Sequence, residues 1–408
     1  MINKYGIGGS TAAQELANLT DMCADLQGIS DGEYAARIER AQKIMQNHGI
    51  HAVYLNAGTN LTYFTGTNWY PSERMVGAIL PAVGKVEYIA PYFEYDTLKQ
   101  YMAVDGKVHT WHEHESPYQL FVDVLTGLNI DSGNIGVDEL TPFFIANGIN
   151  LLTDNYQWLD AKVVTAGCRM QKSEQEIAIM QRAKDITLVA QQAAARILYP
   201  GITVSEVEQF IDAAHKKLGA SAGSYFCIVL FGEDTAYPHG VAKPKTLDIN
   251  DMVLIDTGCE LYGYHSDITR SYVFGEASER QRQVWEHEKQ AQLIAFAAAK
   301  PNHPCSDVDD AARAYLASKG YGPEYQLPGL PHRTGHGIGL DIHEWPYLVG
   351  NEQTPLAKGM CFSNEPMLCI PGEFGVRLED HFYMTDTGPK WFTEPSHSID
   401  NPFGYTVD

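Results

Sequence analysis

The sequence predicts a two-domain protein of the α+β class: an α/β domain over residues 1–165, then an α+β domain over 166–408. Three observations carry this reading. At 408 residues the chain is too long for one ordinary core. Helical and strand-like segments alternate to about residue 160, the pattern of an α/β layer. Residues 170–390 then run helix, helix, strands and again helix, helix, strands. That repeat of pattern, rather than of letters, predicts pseudo-two-fold symmetry with a ligand site between the halves. The domain boundary falls within 163–171.

Residues 30–50 read as a helix, opened by a capping box of Ser30 and Glu33 and striped by Ala35, Ile38, Ala41, Ile44 and Met45. HAVYLNAG follows as a strand. GAILPAVGKVEYIAP reads as two apolar strands around a Gly-Lys turn. SPYQLFVDVLTGL is helical, NIGVDEL strand-like and TPFFIANGINLL helical again. A long helix starts near Ser173 and buries Ile177, Ile179, Met180, Ala183 and Ile186, until Tyr199-Pro200-Gly201 ends it. A second helix over 203–218 opens with a capping box of Thr203 and Glu206. Strands are expected at 225–231, 252–259 and 266–274. Helices follow at 278–300 and 306–319 across a proline-bounded break, with strand-like segments beyond. The first 29 residues, polar and glycine-containing, are expected to form a partly ordered arm.

A net charge of −22 and the lack of any Lys/Arg-rich run argue against nucleic-acid and anionic-membrane binding, both of which need basic patches. Seven scattered cysteines without a CxxC suggest neither a disulfide framework nor a thiolate metal knuckle. Reduced, mostly buried thiols of a cytoplasmic enzyme are the expectation. The start of the chain lacks an apolar core of the signal-peptide kind, and no apolar run is long enough to span a bilayer.

Chemistry concentrates in three segments. In IDTGCELYGYHSDITRSYVF, Asp256 and Asp267 lie on two strands joined by a tight turn over 260–264. A turn centred on Leu261–Tyr262 sets them directly opposite, about 5 Å apart, where like charges repel. A cation between them is the simplest reason for the pair. The plainer alternative has one aspartate capping the turn and the other paired with Arg270. PHRTGHGIGLDIHEWP places His332, His336 and His343 among glycines, as in a loop or strand end that brings backbone close to a ligand. In FSNEPMLCIPGEFGVRLEDHF, Glu365 and Glu379 flank a Pro-Gly turn, as a second hairpin would place them. Arg377 points the same way as Glu379, and a surface ion pair between those two is the plainer alternative. Four carboxylates and an imidazole on buried strands suit a pair of divalent ions of the Mn, Co, Zn or Fe kind, which is hydrolytic machinery.

DTGCELYGYHSDITR, HRTGHGIG with IHE, NEP and GVRLED together resemble the five-ligand signature of the pita-bread metallopeptidases, the group of prolidase, aminopeptidase P and methionine aminopeptidase. The resemblance covers the C-terminal half. An N-terminal α/β domain of this size resembles that of prolidase, aminopeptidase P and creatinase-like members, which methionine aminopeptidases lack. With all five ligand positions filled, the metal-free creatinase branch is disfavoured. The resemblance implies that Asp256 chelates one metal, that Asp267 and Glu379 bridge both, and that His336 and Glu365 complete the second. It makes Glu365 the general base, has His343 contact the scissile carbonyl, and has His332 and His239 (in GEDTAYPHG) line the substrate site. Arg377 would orient ligands or hold a substrate carboxylate. Trp69, Tyr70 and Arg74 belong to the domain that, in related dimers, shields the partner's site. The activity implied is that of an Xaa-Pro dipeptidase on short proline-containing peptides, with two divalent ions, manganese foremost and zinc or cobalt as alternatives, in a cytoplasmic homodimer. An Xaa-Pro aminopeptidase, an ectoine hydrolase-like or dimethylsulfoniopropionate lyase-like relative, and a non-catalytic relative are the alternatives.

Overall fold

A computed structural model describes residues 5–405. The chain forms two compact units: Ile29–Arg169, and Met1–Gly28 together with Met170–Asp408. The first unit ends at residue 169 rather than 165. The start of the chain departs further from expectation, because it packs with the C-terminal unit.

Thr11 caps helix α1 (Ala12–Asn18) by accepting the Gln14 N–H. The Gly8 and Ser10 N–H groups donate to the Ala195 and Arg196 carbonyls at 2.8 and 3.0 Å. Glu15 pairs with Arg196 at 2.6 Å and Asp25 with Arg182 at 2.8 Å. The expected partly ordered arm is therefore tied down over its described part; residues 1–4 lie outside the described residues.

In the unit Ile29–Arg169, helix α2 (Asp31–His48) starts at Ser30, whose hydroxyl accepts the Glu33 N–H. The Glu33 carboxylate turns to Arg37, 3.5 Å away. The buried stripe is Arg37, Ala41 and Met45, while Ala35 is exposed. Arg37 tolerates burial because it donates to the Tyr63 carbonyl at 2.9 Å and lies 4.1 Å over the Tyr63 ring. Six strands, β1 (Ile50–Asn56), β2 (Gly77–Pro81), β3 (Glu87–Pro91), β4 (Lys107–Trp111), β5 (Gly133–Val137) and β6 (Tyr156–Asp160), form a mixed sheet ordered β4-β3-β2-β1-β5-β6. Helices α3 (Thr59–Thr65), α4 (Tyr95–Tyr101), α5 (Pro117–Gly127), α6 (Phe143–Asn150) and α7 (Thr165–Arg169) complete this unit. Phe121 and Leu125 of α5 and Ile145 and Ile149 of α6 pack on Ala52, Ile79, Ile89 and Ile135 of the sheet.

The other unit realises the helix–helix–strands repeat. Helices α8 (Glu174–Ile197) and α9 (Val204–Leu218) open with complete capping boxes at Ser173/Glu176 and Thr203/Glu206. They precede strands β7 (Ser224–Phe231), β8 (Met252–Leu261), β9 (Tyr264–His265) and β10 (Ile268–Val273), sheet order β10-β8-β7 with β9 on β8. The second half brings α10 (Glu279–Ala298), α11 (Ser306–Ser318) and strands β11 (Gly335–Gly337), β12 (Glu344–Leu348), β13 (Cys361–Asn364), β14 (Met367–Ile370), β15 (Phe374–Arg377), β16 (Asp380–Thr385) and β17 (Gly388–Trp391). These form a five-stranded sheet β12-β11-β13-β16-β17 and a separate β14-β15 hairpin.

One buried glutamine per half ties helix to strands. Gln191 of α8 donates to the Ile255 and Ile268 carbonyls at 3.1 and 2.7 Å, next to Asp256 and Asp267. Gln292 of α10 donates to the Asn364 and Leu378 carbonyls at 3.4 and 3.1 Å, next to Glu365 and Glu379. Buried Arg270 pairs with Asp380 at 2.7 Å and so joins β10 to β16. All seven cysteines are free thiols, five of them buried. Among the described residues, no helix is long and apolar enough to cross a membrane.

Candidate active site

The first hairpin turns one residue later than expected. Leu261 pairs with Tyr264, so the turn is Tyr262-Gly263, with φ of +50° and +84°. A two-residue hairpin turn of this hand needs positive φ at both positions, and glycine supplies one without steric cost. The register follows: Asp256 stands opposite Thr269, and Thr257 opposite Ile268. One further step brings Asp267 level with Gly258, where a Cβ would lie 1.8 Å from the Ser266 carbonyl oxygen. The aspartates are diagonal rather than directly opposite, on the same face. In the second hairpin Met367 pairs with Arg377, and continuing that register outward brings Glu365 level with Glu379, as expected.

The two halves meet in a cavity of about 520 Å³, and Asp256, Asp267, His336, Glu365 and Glu379 all line it. His239, His332, His343 and Arg377 line it as well, so every expected site residue reaches one space. Tyr225, Phe226, Ile228 and Ile342 add an apolar wall. The His336 Nδ1–H is aimed at the Gly337 carbonyl at 2.9 Å, which frees Nε2 to meet Glu365 Oε1 at 3.2 Å and Asp267 Oδ2 at 3.8 Å. Three sets of side chains each bring their donor atoms within 4.8 Å of one another: Asp267/His336/His343, Asp267/Glu379/His381 and His336/Glu365/Glu379.

The electrostatics of the site suit a cation. Burial first, and then Glu379, Asp256 and Glu365, push the Asp267 carboxyl well above its ordinary range. Burial, Glu365 and Asp256 do the same to Glu379. Burial also raises Glu365, but its bond to His336 and the charges of His336, His332 and Arg377 outweigh it and hold that carboxyl down. Asp256 Oδ1, Asp267 Oδ1 and Glu379 Oε1 are buried without a hydrogen-bond partner. Such oxygens are costly in a protein interior unless a cation meets them. Hard oxygen donors with an imidazole fit divalent ions of the kind expected.

Arg377 is neither on the surface nor paired with Glu379. It is buried, forms an ion pair with Asp256, and donates to Thr269 Oγ1 at 3.1 Å and to the Pro238 carbonyl at 3.3 Å. Arg270 is likewise not the aspartates' partner, since it serves Asp380. The His332 Nδ1–H is held by the Arg333 carbonyl at 2.7 Å. Burial lowers the pKa of His332, and burial with His336 and Arg333 lowers that of His343 to about 4, so both rings are neutral at pH 7. Arg333 Nη2 lies 3.3 Å from His343 Nδ1. A guanidinium only donates, so Nδ1 accepts and the proton of His343 resides on Nε2.

Residues 178–386 match the metallopeptidase family M24, and residues 37–171 match the creatinase/prolidase N-terminal domain. The chain belongs to metallopeptidase family M24. It is 31% identical to an Xaa-Pro dipeptidase of Lactobacillus delbrueckii subsp. lactis over 374 residues, 89% of this chain and 98% of that protein. The dipeptidase PepE of Mycobacterium ulcerans has a similar structure, with a TM-score of 0.82, 30% identity and coverage of 91% of this chain and 99% of that one. Prolidase from Pyrococcus furiosus gives a TM-score of 0.73 at 29% identity, covering 86% of this chain and 99% of that one. The M24 unit thus has the pita-bread fold, preceded by the α/β domain of the creatinase and prolidase kind, and the protein is a metallopeptidase.

Four residues around the M24 site escaped the sequence reading. Thr269 Oγ1 donates to Glu379 Oε2 at 2.8 Å while accepting from Arg377. Ser363 Oγ accepts the His336 N–H at 2.9 Å and donates to Glu365 at 3.2 Å. Period-two spacing could have found both, since Thr269 and Ser363 lie two residues from Asp267 and Glu365. Buried His381, with neither ring nitrogen hydrogen-bonded, brings Nε2 to 3.5 Å from Glu379 Oε1. It stands two residues beyond Glu379, where the same spacing applies. Arg333 lines the cavity beside His332 and was hidden among the histidines of its motif.

Proposed function

We propose that this M24 protein is an Xaa-Pro dipeptidase that binds two divalent metal ions. The observation that carries this is the meeting of four carboxylates and one imidazole, three of whose buried oxygens have no hydrogen-bond partner among the described residues, in a cavity of small-molecule size. Asp256 would hold one ion, His336 and Glu365 the other, and Asp267 and Glu379 both. The ions, manganese or else zinc or cobalt, would supply a lowered water pKa and polarise the scissile carbonyl.

The chain's own groups have distinct tasks. Glu365, ionised at neutral pH, accepts the proton of the attacking water. The His343 Nε2–H donates to the oxygen on which charge develops. His332 and His239 bound the space for the peptide, and the apolar wall excludes water. Arg377, engaged by Asp256, orients that ligand. The same reading carries a homodimer, checked by light scattering, and a reducing compartment such as the cytoplasm, in keeping with seven free thiols.

Assays of the manganese-loaded protein on Leu-Pro and on a tripeptide of the Xaa-Pro-Pro kind test the reading. Leu-Pro should be cleaved, and Glu365→Gln should lower kcat by roughly a hundredfold or more. Activity confined to tripeptides would make it an Xaa-Pro aminopeptidase instead. Dead peptidase assays with acrylate released from dimethylsulfoniopropionate would make it a lyase. Near wild-type hydrolysis by Glu365→Gln would remove the base assignment.

A further inference from the structure

We propose that His381 is a sixth ligand of the metal site, a second imidazole that meets the ion shared by Asp267 and Glu379 and biases the site toward zinc over manganese. This rests on the two-metal reading above. None of the five ligand positions that the M24 signature implies is His381. Glu379 stands one residue before β16, and period-two spacing puts His381 on its face, while Asp380 between them turns away to Arg270. His381 is opposite Ser363 of β13, whose hydroxyl holds the His336 N–H and Glu365. The strand pairing thus brings His381 to the side of the site that His336 and Glu365 occupy.

The ring has no other occupation. It is fully buried, and neither Nδ1 nor Nε2 has a hydrogen-bond partner among the described residues. An imidazole taken out of water without a partner carries a cost that an apolar side chain at that position would not. Its Nε2 lies 3.5 Å from Glu379 Oε1, an oxygen that likewise lacks a hydrogen bond, as does Asp267 Oδ1. Donor atoms of Asp267, Glu379 and His381 lie within 4.8 Å of one another. Buried Lys184 is engaged elsewhere: its ammonium donates to the His265 carbonyl at 3.2 Å and lies 4.7 Å over the Phe392 ring. One divalent ion would satisfy the orphaned nitrogen and both orphaned oxygens together. His381 lies outside the cavity lining, so this ligand takes no room from the peptide. Carboxylates suit manganese and imidazole suits zinc, so a second ring shifts the preference.

X-ray absorption at the zinc edge of the zinc-loaded protein counts the bound imidazoles. With His336 and His381 both bound, two ions share two rings; without His381 they share one. The lower count in wild type overturns the proposal without any variant. In His381→Leu the count should fall by half. Zinc binding, measured against a competing chelator, should weaken by about a hundredfold or more, and manganese binding by less. The metal-free variant should melt at or above wild type, since a ring without hydrogen bonds gives way to an apolar side chain of similar size. A variant that binds zinc as tightly as wild type overturns the proposal, makes His381 a packing residue, and leaves the two-metal reading standing. A wild type that takes up neither zinc nor manganese removes that reading, and the sixth ligand with it.

Discussion

Asp256 and Asp267 are both buried carboxylates on one hairpin, yet their surroundings are opposite in sign. Asp256 leans on Arg377, whereas Asp267 has no guanidinium in hydrogen-bond reach among the described residues and faces other acids and the rings of His336, His343 and His381. Substitution should separate them. Asp256→Asn leaves a buried guanidinium without its anion and should destabilise the metal-free protein by about 3–5 kcal/mol. Asp267→Asn removes one of several mutually repelling acids, so the metal-free protein should melt higher than wild type. Metal analysis by mass spectrometry should show Asp267→Asn losing both ions and Asp256→Asn keeping the one held by His336 and Glu365. A second residue-scale expectation concerns acid stability. His215 is buried between Ser224 Oγ at 2.8 Å and Thr187 Oγ1 at 3.2 Å, and burial lowers its pKa from 6.5 to about 4 despite nearby Asp212. Between those values the unfolded chain takes up a proton that the native chain does not. Its contribution is thus complete above pH 6.5 and lost as pH falls toward 4, worth about 3 kcal/mol over the window. Thermal melts of His215→Gln should show a flatter acid limb than wild type.

At the scale of elements, helices α8 and α10 hold the strands that present the acids. Gln191 and Gln292 occupy equivalent places in the two halves, each bonding two carbonyls adjacent to site acids. Gln191→Leu and Gln292→Leu keep the volume but strand those groups, and each should lower stability by about 1–3 kcal/mol in denaturant titrations. Each should also weaken metal binding in calorimetric titration, because the acids of its half lose their support. A loss of stability with unchanged affinity would assign the glutamines to packing alone. These ties show where legibility ended. Capping boxes, apolar stripes and turn residues marked α8, α9 and both hairpins, because those signals are local. The register of the first hairpin differs from the sequence expectation by one residue: two adjacent positions could each host the turn, and the positive φ of Gly263 decides between them. The burial of Arg37 is not legible from the helix period, because its compensation comes from Tyr63. Gln191 and Gln292 were invisible for the same reason: their partners lie 64 to 86 residues away.

Across the whole molecule, the described residues 5–28 belong to the metallopeptidase unit. Ile7 is buried there, and Glu15 and Asp25 pair with Arg196 and Arg182 of α8. Removing residues 1–28 gives up at least the burial of Ile7, about 1.5–3 kcal/mol. The melting temperature should fall by about 5 °C or more in scanning calorimetry, with Leu-Pro hydrolysis lost in step on heating. The composite domain was only half legible in advance, because a polar, glycine-containing opening carries no periodic stripe to announce its partner.

That division of the chain also sets an order of events during synthesis. Ile29–Arg169 is continuous, so everything it needs has been made once residue 169 leaves the ribosome. The metallopeptidase unit is split around it, and its opening segment must wait for α8. Its last site acid, Glu379, lies beyond both helix pairs and the turn of the second hairpin. Units fold as they emerge. The creatinase-like unit is therefore expected to be complete while the hydrolytic centre is still unmade, so the nascent chain carries no active peptidase until Glu379 has been made and placed.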